Sequence, residues 1–139
     1  MIDDWKVSGF LEISHTADWA IRVWAPDLAG LMEESARGMY ALMGCQLQLV
    51  PVIERSFEVQ NGDAEDLLVA FLAEILNYAE QEKVGFESFN VRITHNYLAA
   101  QLSGGIIIHQ GKEIKAVTYH NLSIQQIHDR FEATIVFDV

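Results

Sequence analysis

The sequence predicts an α+β fold, two helices packed on a mainly antiparallel sheet as a two-layer single domain covering residues 1–139. Three observations lead there. Two stretches in the first half repeat apolar residues at helical spacing, the chain from Phe86 onward alternates almost entirely like strand, and no linker, repeat or low-complexity tract divides it. With 139 residues, 50% of them apolar, the chain can bury a core without disulfides.

Each element follows from its own pattern. Residues 10–14 and 19–25 read as strands, the second placing Trp19, Ile21, Val23 and Ala25 on one face. Pro26-Asp27 then breaks the pattern, and Asp27 is a fitting N-cap for a helix that runs to about Met43, with Gly44 as its C-cap. Leu28, Leu31, Met32, Ala36, Met39 and Met43 form its apolar stripe, read as core packing. After a strand over 52–60, Asn61-Gly62-Asp63 turns the chain into a second helix over about 64–83, stopped by Gly85. That helix is apolar over most of its girth, leaving Glu74, Asn77 and Gln81 for water, and reads as the central helix. Strands are expected around 89–94, at 97–102, 106–109 and 114–124, and finally at 131–139.

Composition narrows the function classes. Twenty acidic side chains against nine basic ones give a net charge of −11, and the few Lys and Arg form no run or stripe. Tight direct nucleic-acid binding is therefore not expected, because that affinity rests on basic side chains neutralising phosphates. A basic protein partner suits the surface better. The acidic opening Met1-Ile2-Asp3-Asp4 and the absence of any apolar run near 18 residues read as no signal peptide and no membrane anchor, hence a cytoplasmic protein. Cys45 stands alone and reads as a structural thiol. Gly-rich phosphate loops, Cys pairs, His-Glu-x-x-His and G-x-S-x-G elbows are absent, so most standard enzyme classes lose ground. His95, His109 and His128 read as surface or strand-end residues.

The last strand carries the main chemical clue. Phe131, Ala133, Ile135, Phe137 and Val139 alternate with Glu132, Thr134, Val136 and Asp138 to the final residue, so the sequence is read as ending inside a sheet. The Asp138 side chain, the final carbonyl and a terminal carboxylate then cluster at one fixed edge, an oxygen set that asks for a cation. Near the other end, His15-Thr16-Ala17-Asp18 joins the first two strands, where Thr and Asp also serve as ordinary turn caps. Lys115-Ala116-Val117-Thr118-Tyr119-His120 is a polar-rich strand segment whose alternation puts Lys115, Val117 and Tyr119 on one side and Ala116, Thr118 and His120 on the other.

Taken together, His15 to Asp18, Glu65-Asp66-Leu67-Leu68, Lys115 to His120 and Asp138-Val139, in that order across nearly the whole chain, resemble the signature of the archease family. Trp19 departs from the pattern, standing where a smaller aliphatic residue is expected. The resemblance implies an archease-like domain that acts as an activator of an RtcB-type RNA ligase in tRNA splicing and RNA repair, promoting guanylylation of the ligase and multiple turnover, and is not itself an enzyme. It also implies metal ligation by Asp18, Asp138 and the Val139 main-chain carbonyl, a role for Lys115 in ligase activation, and His15 and His120 as residues behind the ligands. A nucleotide triphosphate would then be met through the ligase.

Physical reasoning supports a cation there. Two carboxylates about 4 Å apart repel by roughly 4 kcal/mol at an effective dielectric near 20, a cost that a bound ion removes. Oxygen donors favour a hard ion such as Ca²⁺, Mg²⁺ or Mn²⁺ over zinc, and Ca²⁺ is the expected one. Two rival readings stand beside this one: a stand-alone metal-dependent phosphohydrolase using His15 or His120 as base, and a chaperone-like protein-interaction module.

Overall fold

The computed structural model describes residues 7–13 and 19–139. Strands β1 (Gly9–Ile13) and β2 (Trp19–Ala25) are followed by helix α1 (Leu28–Met43), strand β3 (Gln46–Gln60) and helix α2 (Ala64–Glu82). Then come β4 (Val84–Thr94), β5 (Tyr97–His109), β6 (Ala116–Val117), β7 (Gln125–Ile127) and β8 (Arg130–Asp138). The fold is α+β, and all its strand pairs are antiparallel. The strands divide into two sheets. One runs β1-β2-β8-β6, with β7 also on β8, and the other runs β3-β5-β4.

Both helices begin and end where their caps dictate. The Asp27 side chain accepts from Gly30 N–H at 2.6 Å, and Gly44 closes α1 in the left-handed conformation at φ 63°. Asp63 and Asp66 form a reciprocal capping box at the start of α2. The second helix stops at Lys83, itself left-handed at φ 57°, two residues before the expected Gly85. Gly85 lies inside β4, which starts at Val84.

Helix α1 packs on β2 above all and then on β4, β1 and β8, while α2 lies against β3, β4, β5 and β6. The helices touch each other, and one apolar cluster joins both to both sheets. Met32, Met39 and Met43 are buried in it, as the stripe on α1 predicts. Phe71 and Phe137, both fully buried, bring α2 and β8 into the same cluster.

Three strand boundaries differ from expectation. Strand β3 starts at Gln46, upstream of the predicted 52, with a register irregularity between Gln48 and Ile53. The expected strands 97–102 and 106–109 are one strand, β5, continuous through Gly104 and Gly105. A Cβ on Gly104 would strike the Gly85 carbonyl, and one on Gly105 the Gln48 carbonyl, so these glycines let three backbones approach closely without ending the strand. The predicted strand over 114–124 is mostly irregular, with only Ala116–Val117 paired as strand there.

Candidate functional site at the end of β8

Strand β8 lies between β2 on one side and β6 and β7 on the other. Ala133, Ile135 and Phe137 point into the core, and the ladder with β2 runs from Ala25↔Phe131 to Trp19↔Phe137. Trp19 and Phe137 are the chain neighbours of Asp18 and Asp138. His15 and Asp18 lie outside the described residues, so the predicted approach of Asp18 to Asp138 does too. Asp138 is exposed, and its carboxylate has no hydrogen-bond or ion-pair partner among the described residues. Val139 is half-buried against the core. Among the described residues, no three His, Cys, Asp or Glu side chains stand together as a metal site.

Lys115 comes directly to this strand end. Its backbone N–H donates to the Asp138 carbonyl at 2.8 Å, and the next two residues pair as Ala116↔Asp138 and Val117↔Phe137. The Lys115 side chain is exposed. Thr118 makes the last contact to β8, donating both its N–H (3.1 Å) and its hydroxyl (2.9 Å) to the Val136 carbonyl. The chain then bends: Leu122 N–H returns to the Tyr119 carbonyl at 3.0 Å, with Asn121 left-handed at φ 55°. This local hydrogen bonding replaces the expected strand and ends its alternation. His120 is exposed on the bend, its Nε2 at 3.2 Å from Asn121 Nδ2.

The Glu-Asp-Leu-Leu block meets the same bend. The Tyr119 hydroxyl donates to Asp66 Oδ1 at 2.8 Å, and Ile124 N–H donates to Glu65 Oε2 at 2.9 Å. Hydrogen bonds from the Asp63 N–H and then from Tyr119 hold the Asp66 carboxyl below the usual aspartate range. The bond to Asp66 in turn raises the Tyr119 hydroxyl above the usual tyrosine value. Sequence reading picked out both blocks without their contact, which depends on how the chain crosses from β6 to β7.

Two further charged arrangements were not legible in the sequence. Lys112 places its ammonium 3.5 Å above the Trp19 ring centroid, so the residue that departs from the family pattern is a packing platform for a cation. Glu132, only 6% exposed, accepts from Arg130 Nε at 2.7 Å and from the Arg22 guanidinium, and these two hold its carboxyl below the usual glutamate range. The remaining histidines behave as predicted: His95 and His128 are exposed at left-handed turn positions, and His109 is exposed at the end of β5. Burial pushes the Cys45 thiol up to about 11, as suits an unreactive structural cysteine. Among the described residues, no helix is long and apolar enough to cross a membrane.

Comparison with known proteins bears out the resemblance to the archease family. The family model for the archease protein family (MTH1598/TM1083) matches residues 10–139. The chain is 34% identical to the protein archease of Thermococcus kodakarensis, over 90% of this chain and 94% of the relative. It is 31% identical to that of Methanopyrus kandleri, over 92% of this chain and 97% of the relative. The solution structure of protein 1598 from Methanobacterium thermoautotrophicum superposes with a TM-score of 0.73 at 26% identity, over 94% of this chain and 99% of that one. The crystal structure of a Thermotoga maritima archease, called there a possible chaperone, has the same fold at 23% identity, with a TM-score of 0.71 over 91% of this chain and 94% of that one. This chain belongs to the archease family.

Proposed function

We propose that this protein is an accessory factor that activates an RtcB-type RNA ligase in tRNA splicing and RNA repair, promoting guanylylation of the ligase and multiple turnover without catalysing ligation itself. Family membership supports the reading. The observation that carries it is the 2.8 Å bond from Lys115 N–H to the Asp138 carbonyl, which sets two of the motif blocks side by side at one exposed strand end.

The donor chemistry fits a hard divalent ion. The Asp18 and Asp138 carboxylates and the Val139 carbonyl would hold Ca²⁺, or Mg²⁺ or Mn²⁺ in its place. The exposed Asp138 carboxylate is not engaged by another group among the described residues, so it is available as a ligand. When bound, the ion supplies positive charge that attracts phosphate oxygens. Lys115 holds an exposed ammonium at the same strand end, suited to meet the ligase near its nucleotide site and help place a triphosphate there. The net charge of −11 favours a basic protein face as partner over direct contact with RNA.

A multiple-turnover ligation assay with excess RNA tests this. Asp18→Ala, Asp138→Ala and Lys115→Ala, each shown to be folded, are expected to return turnover to that of the ligase alone, while a single round by pre-guanylylated ligase is unchanged. Full multiple turnover with folded Asp18→Ala and Asp138→Ala would sink the reading. A chaperone-like interaction module is the second reading, favoured by the exposed Val50, Val52 and Ile108. Under that reading Val50→Lys, and not Asp138→Ala, abolishes activation.

A further inference from the structure

The segment that carries Lys115 meets the sheet over only four residues. Strand β6 offers two residue pairs to β8, flanked by the hydrogen bonds of Lys115 to Asp138 and of Thr118 to Val136, a short contact for a strand. Upstream, Gly111 and Lys112 donate their N–H groups to the Met43 carbonyl at 2.8 and 3.1 Å, and Ile114 is buried at 5% exposure. Downstream, the backbone is held by side chains from the first turn of α2. Glu65 takes Ile124 N–H, and Asp66 takes the Tyr119 hydroxyl. Asp66 is itself fixed: its Oδ2 accepts Asp63 N–H at 3.0 Å, and its own N–H donates to Asp63 Oδ1 at 2.9 Å. Its carboxylate is therefore in place before Tyr119 reaches it. Leu122 N–H on the Tyr119 carbonyl closes the bend between the two contacts, so the bend is gripped at both ends.

A capping box alone does not need these contacts. Asp63 and Asp66 satisfy each other's backbone N–H groups, and Glu65 is not part of the box. Yet both acidic side chains reach out of the helix to the one segment that links β6 to β7. We propose that Glu65 and Asp66 are positioning residues, clamping the bend after Thr118 to the N-terminus of α2 so that Lys115 stays registered beside Asp138. The proposal rests on the reading of that strand end as the point of ligase activation, but the clamp can be judged on the isolated protein.

Tyr119→Phe removes the hydroxyl and keeps the ring, leaving the capping box intact. Glu65→Ala removes the acceptor for Ile124, whereas Glu65→Gln keeps an amide oxygen able to accept it. Amide hydrogen exchange is read at Lys115 and Thr118, with Leu67 N–H, which donates to the Asp63 carbonyl, as the helix control. Loss of one hydrogen bond should speed exchange at Lys115 and Thr118 about fivefold in Tyr119→Phe and Glu65→Ala. Leu67 should be unchanged, and Glu65→Gln should restore the slow rates. In the ligase assay, Tyr119→Phe should raise the concentration needed for half-maximal activation by a similar factor, with the maximum intact. Unchanged exchange at Lys115 and Thr118 overturns the clamp, as does failure of Glu65→Gln to rescue. Faster exchange with an unmoved half-maximal concentration overturns its role in positioning. If Lys115→Ala activates the ligase fully, it is the functional reading that fails, and the exchange data still decide the clamp.

Discussion

The two sheets differ in the length of their ladders and in which of them carries motif residues. The three-stranded sheet is built of long ladders, with strands of 15, 11 and 13 residues, and contains none of the four motif blocks. It has an open groove of about 610 Å³ on its solvent face, bounded by Ser56, Glu58, Asn90, Arg92 and Gln101, away from those blocks. It also exposes Leu49, Val50, Val52, Ile106 and Ile108 around the β3 irregularity and the end of β5. The five-stranded sheet finishes in strands of two and three residues, and there Lys115, His120, Asp138 and Val139 gather. Short ladders leave backbone and side-chain groups free for other partners, and the motif residues sit where pairing is least complete.

The largest effect should come from removing what both regions share. Phe137→Ala empties a fully buried site in the central strand of the five-stranded sheet and should cost about 3–5 kcal/mol, measured by denaturant unfolding. A loss under about 1 kcal/mol would mean that β8 is less central to the core than its burial indicates.

An intermediate effect concerns the polar face of β8. Glu132→Gln should cost about 1–2 kcal/mol at neutral pH, the loss being moderated because both arginine partners remain partly in water. The sign follows from the lowered carboxyl of Glu132: its contribution is present above the ordinary glutamate value of 4.5 and is lost as pH falls through the lowered one. Wild type should therefore lose stability in acid more steeply than Glu132→Gln. Parallel acid profiles for the two proteins would remove the arginine pair from the account.

The smallest effect should fall on the other sheet. Val50 is 78% exposed and Ile108 59%, so Val50→Lys and Ile108→Lys should change unfolding free energy by no more than about 0.5 kcal/mol. A loss above about 1.5 kcal/mol would show that this apolar edge is packed in solution, and the contrast between the sheets would weaken.

The legible parts of the fold were those with local causes. Asp27, Gly44 and Asp63 marked helix ends because capping acts within one turn, and β2 and β8 were read from their alternation. The pattern failed where distant contacts decide. Gly104-Gly105 looked like a break because glycine usually is one, yet these positions serve close backbone approach to β3 and β4. Residues 114–124 looked like strand from their alternation, but after Thr118 the chain turns back on itself between Tyr119 and Leu122 and bonds to the acidic pair on α2. At the site, Lys115 and Asp138 were named from motifs and the fold brings their backbones together, whereas Tyr119, Glu65 and Asp66 acquire a joint role only through a contact across 53 positions of sequence.

The order of strands also sets an order of assembly. The β3-β5-β4 sheet draws on residues 46–109 alone and can close as soon as those residues have left the ribosome. The other sheet cannot. Strand β8 separates β2 from β6, so β2 has an open edge until β8 is made. The strand end that carries Asp138 and meets Lys115 is thus completed only by β8, and a chain short of residues 130–138 holds a completed three-stranded sheet beside an unfinished five-stranded one.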